Sequence, residues 1–225
     1  LADIAISSYT PTLTALLDTH RANSTSSDYK LLAVIQPSTP NAASLPGTKA
    51  ELACVQKHVP NSLIRVLNGS DATISEVLSG MDKCSWVHLA CHGVQDASNP
   101  MDSGLLLEDG RLCLSRIIRK RLPHAEFAFL SACQTATGDD RRPEEAIHLA
   151  AGMLLAGYRG VVATMWSIRD DDAPFVADRF YSRILTDGRP NNVQPAVALH
   201  EAIQELRKQK GVGFSSWVPF IYMGV

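Results

Sequence analysis

Short apolar runs alternate along this chain with stretches whose apolar residues recur at helical spacing. Leu31 to Ile35, Leu63 to Leu67, Trp86 to Cys91, Phe127 to Leu130, Val161 to Trp166 and Val218 to Met223 each predict a strand. Between them, helices are predicted from Gly47 to His58, after a cap at Asp71, from Ser115 through Ile118, from Pro143 to Gly157, after Asp170-Asp171-Asp172, and from Ala196 to Arg207. Leu105-Leu106-Leu107 and Leu112-Cys113-Leu114 flank Asp109-Gly110, the signature of a hairpin. A strand that is apolar throughout, instead of alternating, has both faces buried. Strands of that kind interleaved with helices predict an α/β fold: a mainly parallel central sheet with helices on both faces.

The polar positions set the boundaries. Ala22 to Asp28 is a polar, flexible linker, and the leucines at 13, 16 and 17 read as the end of a helix ahead of it. We therefore expect residues 1–29 to be an N-terminal helix and linker, and residues 30–225 to be the folded domain. The chain starts on Leu1 instead of Met and is read as a piece of a longer one. No repeat or low-complexity segment breaks the pattern.

Composition narrows the function classes. The 225 residues suffice for one sizeable core, with a net charge of −2. No basic tract exceeds Arg119-Lys120-Arg121, so nucleic acid is not an expected partner. No apolar stretch approaches the ~18–20 residues of a membrane helix, so no membrane is expected either. The five cysteines are odd in number and form no CxxC pair, which argues against zinc and for a reducing, cytoplasmic location. Neither a metal nor another cofactor is implied.

Candidate chemistry sits where two apolar runs stop. In parallel sheets, ligands lie beyond the carboxyl ends of the strands. Phe127 to Leu130 runs out into Ser131-Ala132-Cys133, and Trp86 to Cys91 runs out into His92-Gly93. One strand end offers a thiol, the other an imidazole and a glycine amide, the material of a cysteine nucleophile with its base. The competing reading makes Cys133 a buried core thiol and His92 a turn residue. His88 also competes for the base. On one continuous strand it would lie about 13 Å from His92, so both cannot reach one thiol; the strand end and the following Gly favour His92. Cys91 points away from His92. Asp170-Asp171-Asp172 either starts a helix, where acids are favourable, or places a carboxylate for a basic side chain, Asp170 being nearer the strand. Arg169 beside it would suit an acidic one. The loop from Gly138 to Pro143 is either an ordinary solvated loop or a gate, with self-cleavage at Arg141-Arg142 as a further expectation.

His-Leu-Ala-Cys-His-Gly, Leu-Ser-Ala-Cys-Gln-Thr, the run from Ala151 to Asp172, Arg179-Phe180-Tyr181 and the closing Trp217-Val218-Pro219-Phe220, in that order and with Leu45-Pro46-Gly47 ahead, resemble the CHAT domains. These are caspase-like and separase-like cysteine peptidases. The resemblance implies a caspase-like three-layer sandwich and a catalytic dyad of His92 and Cys133. It places the oxyanion hole at the amides of Gly93 and Cys133. The Trp166, Asp170, Asp172 pattern is similar to a separase segment that binds a basic P1 side chain. It further implies a protein or peptide substrate, control by an upstream regulatory or repeat region of the same chain, and a part in regulated proteolysis such as cell death. The alternative is a catalytically silent CHAT-type interaction module. A small-molecule binder of flavodoxin type would need a glycine-rich loop after the first strand, where Gln36-Pro37-Ser38 stands.

Overall fold

The computed structural model describes residues 4–12, 29–40, 42–96, 98–131, 146–166, 168–169 and 171–224. Six strands form the central sheet: β1 (Leu31–Ile35), β2 (Ile64–Asn68), β3 (Trp86–Ala90), then β7 (Phe127–Leu130), β8 (Gly160–Thr164) and β11 (Phe220–Gly224). Their order is β11-β8-β7-β3-β1-β2, parallel except for β11, which runs antiparallel to β8. A small antiparallel sheet of β4 (His92–Val94), β5 (Gly104–Leu107) and β6 (Gly110–Cys113) stands beside it. A two-residue ladder of β9 (Leu185–Thr186) and β10 (Arg189–Pro190) lies further on.

The inner strands are buried at every position, β1 and β7 because they are apolar throughout, while the edge strand β2 carries Arg65 and Asn68 and is only partly buried. Leu32, Val34, Val87, Leu89, Ala128, Leu130 and Val161 meet one helical layer. This layer comprises α2 (Ile74–Lys83), α3 (Leu114–Lys120) and α4 (Ala146–Ala156), contributing Val77, Met81, Ile117 and Met153. Leu31, Phe127, Phe129, Val162 and Phe220 meet the other. That layer comprises α1 (Gly47–His58), α5 (Asp172–Ile184) and α6 (Pro195–Arg207), through Val55, Val176, Phe180, Leu199 and Leu206. The expected three-layer sandwich is the fold observed.

Several element ends differ from the sequence reading. Asp71 closes a 3₁₀ turn, and Thr73 caps α2 instead, its hydroxyl accepting from the Glu76 amide. A threonine in extended backbone directly before the helix is better placed to reach that amide. The run from Trp86 to His92 is not one strand. It breaks at Cys91, after which His92 pairs with Leu106 in the small sheet. The spacing argument about residues 88 and 92 on one strand therefore does not carry past Ala90.

The residues ahead of β1 that are described, 4–12, carry no helix. Tyr9 lies alongside β11: its amide donates to the Tyr222 carbonyl, and its carbonyl accepts from the Gly224 amide. Leu13, Leu16, Leu17 and the linker lie outside the described residues, as do Cys133, Asp170 and the loop from 138 to 143.

The small sheet is set tightly. A Cβ on Gly104 would stand 2.2 Å from the Leu112 carbonyl oxygen, so only glycine lets β5 pass its neighbour there. This matters because β5 is the strand against which His92 is registered.

Candidate active site

The carboxyl ends of β1, β3 and β7 come together. The Gln36 amide donates to the Ala90 carbonyl, and the Ser131 amide to the Leu89 carbonyl. The chain thus leaves β7 at Leu130, three positions before Cys133, level with the end of the strand that leads to His92. Cys133 itself lies outside the described residues.

His92 is 1% exposed. Its Nε2 lies 2.7 Å from the Ala43 carbonyl oxygen. A carbonyl only accepts, so Nε2 carries the proton in that bond. The other ring nitrogen, Nδ1, is buried without a hydrogen-bond partner among the described residues. A neutral His92 held this way presents a lone pair at Nδ1, the form a general base needs. Gly93 follows in β4, opposite Leu105.

Ala43 had no signal in the sequence, since its contribution is a main-chain oxygen. It belongs to the loop from Gln36 to Pro46 that the apolar pattern left as a connection. The loop is laced to itself: the Leu45 amide and the Ser44 hydroxyl both donate to the Pro37 carbonyl.

His88 is a core residue. It is fully buried on β3, and its ring stacks on Phe129 with centroids 5.0 Å apart. Nδ1 lies 3.1 Å from the Tyr181 hydroxyl and Nε2 lies 3.0 Å from a Glu51 carboxyl oxygen, off the line of a good hydrogen bond. Burial holds the Tyr181 hydroxyl well above its ordinary pKa. It is thus a neutral phenol that can donate to Nδ1 while Nε2–H faces Glu51. Cys91 is buried in the opposite core layer.

Of the acidic run, Asp171 and Asp172 are among the described residues. Asp170 lies outside the described residues. Asp171 is exposed and stands at the N-cap of α5 without a side-chain cap bond. Asp172 is the buried acid, 4% exposed, its amide bonded to the Arg169 carbonyl. Its Oδ2 has no partner among the described residues. A buried carboxyl oxygen with no donor is costly. Arg169 is exposed.

Beyond β8, Met165 opens onto an apolar groove of about 320 Å³ shared by Tyr9, Leu199, Ile203 and Trp217. Among the described residues no three His, Cys, Asp or Glu side chains form a metal cluster. No described helix is long and apolar enough to cross a membrane.

Comparison with known proteins agrees with the fold. No curated protein matches the sequence. Among solved structures, the chain is similar to gingipain R, an Arg-specific cysteine proteinase, at 14% identity and a TM-score of 0.57. That match covers 94% of this chain and 50% of that one. A complex of the pro- and mature domains of the same proteinase from Porphyromonas gingivalis aligns at 13% identity and TM-score 0.56, over 87% of this chain and 47% of that one. A secreted C11 cysteine protease from Bacteroides thetaiotaomicron, solved with an irreversible peptide inhibitor, aligns at 12% identity and TM-score 0.50, over 85% and 64%. The chain thus spans about half to two thirds of the length of these structures. They share its caspase-like arrangement. The family model of the CHAT domain matches residues 2–225, and the chain belongs to the CHAT domain family.

Proposed function

We propose that this chain is a cysteine endopeptidase domain with Cys133 as nucleophile and His92 as base. The observation that carries the reading is the Ala43–His92 bond. It fixes the imidazole through Nε2 and leaves Nδ1 buried and, among the described residues, without a partner at the carboxyl end of the sheet.

In this mechanism Nδ1 takes the thiol proton as Sγ attacks the scissile carbonyl carbon. The oxyanion is received by the amides of Gly93 and Cys133, a single such donor being worth about 2.7–4 kcal/mol. The protonated imidazole gives its proton to the leaving amine, and a thioester remains on Cys133. Water then attacks the thioester with Nδ1 as base, releasing the acid and restoring the thiol.

Asp172 is proposed to line the pocket for a basic P1 side chain, with Asp170 as its companion. An Arg or Lys would supply the donor that Oδ2 lacks, in a charge-assisted bond. The Arg specificity of the gingipain neighbour is consistent with this. Among the described residues no cysteine pair is joined in a disulfide, and a reducing, cytoplasmic setting is proposed. The domain is proposed as the effector part of a larger protein in regulated proteolysis, held in check by its upstream region.

The test is a peptide-library digest read by mass spectrometry, wild type beside Cys133→Ala. Cleavage by the wild type alone, after Arg or Lys, is the expected result. Cleavage by both proteins removes the dyad, and acidic P1 residues remove the Asp172 pocket. No cleavage by the wild type, alone or with its upstream region restored, leaves a silent interaction module.

A further inference from the structure

Gln36 directly follows β1, is completely buried, and takes no part in the chemistry above. Its Nε2 donates twice, to the Ser38 carbonyl at 3.1 Å and to a Glu108 carboxyl oxygen at 3.1 Å. Both neighbours are acceptors, so the amide orientation is fixed: the NH₂ group faces them and Oε1 faces away. Oε1 is buried with no donor among the described residues.

The two acceptors belong to the two pieces that meet at His92. Ser38 starts the loop that carries the Ala43 carbonyl. Glu108 joins β5 to β6, two positions beyond Leu106, the residue registered opposite His92. The Glu108 main chain is itself anchored, its amide donating to the Ala72 carbonyl. The Gln36 main-chain amide completes the junction by binding Ala90, two residues before His92. One buried amide therefore fastens the loop that orients the imidazole to the sheet that bears it.

We propose that Gln36 and Glu108 are positioning residues for His92, holding the Ala43 carbonyl in register with its Nε2–H. The proposal rests on the reading of His92 as the catalytic base. Neither side chain touches the reacting atoms. They act by fixing the distance and direction of a bond whose length decides where Nδ1 points.

The test compares Gln36→Leu, Glu108→Leu and Glu108→Gln. Gln36→Leu removes both donations, and also the stranded Oε1, whose burial is a cost, so the variant is expected to fold. Glu108→Gln keeps an acceptor for the clasp and serves as the conservative rescue. Two readouts are taken: kcat and KM on a peptide cleaved by the wild type, and ¹⁵N spectra of the His92 ring. The two leucine variants are expected to lower kcat roughly 10- to 100-fold, as small misplacements do, with KM little changed. They should also depopulate the Nε2–H tautomer, while Glu108→Gln stays near wild type. Wild-type kcat and spectrum in both leucine variants would overturn the proposal, as would equal losses in Glu108→Gln and Glu108→Leu. If Gln36→Leu does not fold, the Glu108 pair decides. If the wild type cleaves nothing, the peptidase reading has failed, and the His92 spectrum still decides the clasp because it needs no turnover.

Discussion

The Nε2–H of His92 is spent on the Ala43 carbonyl, 2.7 Å away, so the ring can exchange a proton with a substrate only through Nδ1. This relationship reaches across 49 residues of sequence and joins a loop oxygen to a strand residue. It predicts that neutral His92 is the Nε2–H tautomer. Two-bond ¹H–¹⁵N spectra of protein labelled at histidine report this directly. A dominant Nδ1–H form would show that the bond does not persist in solution and would deprive the site of its base.

Asp172 should govern P1 choice. Asp172→Asn is expected to lower kcat/KM for Arg or Lys at P1 by on the order of 100-fold, as when one partner of a buried charged pair is lost. Peptides with Ala at P1 should change little. Stability should hold or rise, since an unpartnered buried oxygen, Oδ2, leaves the carboxyl for an amide. Matched peptides differing only at P1 make the comparison, and equal losses on both would assign Asp172 to the helix start alone.

Glu51 and His88 bind α1 to β3 from inside the core. Glu51→Ala leaves the His88 Nε2 facing a cavity with no acceptor. Leaving a buried neutral donor without an acceptor in this way is expected to cost about 1–3 kcal/mol. The double change Glu51→Leu with His88→Phe should cost less than that single change, because it removes the uncompensated group and lets an aromatic ring stack on Phe129. Urea midpoints of the variants give the answer. Additive losses would mean that the two groups do not interact.

The buried tyrosines predict alkaline instability. Burial pushes the Tyr29 and Tyr222 hydroxyls up to about 12 and raises Tyr158 and Tyr181 as well. Their unfolded value is about 10. Below that value both states hold the phenolic proton and the stabilisation is complete. As pH rises from 10 through 12 the unfolded chain binds fewer protons than the folded one, so stability falls. Denaturation midpoints should therefore decline above pH 10, with the tyrosinate absorbance of these four residues lagging that of the unfolded chain. Normal titration near 10 in a protein that remains folded would contradict the assignment.

Much of this was legible in the chain. Leu31 to Ile35 and Phe127 to Leu130 are apolar at every position, and a strand with no polar face has to be buried on both. That alone calls for a parallel sheet between helical layers, which is the fold observed. His92 stands just past the end of β3, as the apolar run in the sequence indicates, while Cys133 lies outside the described residues.

What the sequence determined by itself was the set of elements and the chemistry each strand end offers, since both follow from local periodicity and residue type. The tertiary structure alone decided the rest. Ala43 became a ligand of His92 through its backbone, which carries no side-chain signal. Between the two described acids of the run, Asp172 is buried while Asp171 is exposed, because helix phase sets the direction of each. The break at Cys91 sent His92 into a second sheet, where pairing with Leu106 outweighed continuing β3. Gln36 follows the first strand in sequence and becomes a junction only when the fold brings Ser38 and Glu108, 70 residues apart by number (108 − 38), to the same amide. Long-range hydrogen bonds depend on where distant segments are packed, and packing is decided by the whole core at once.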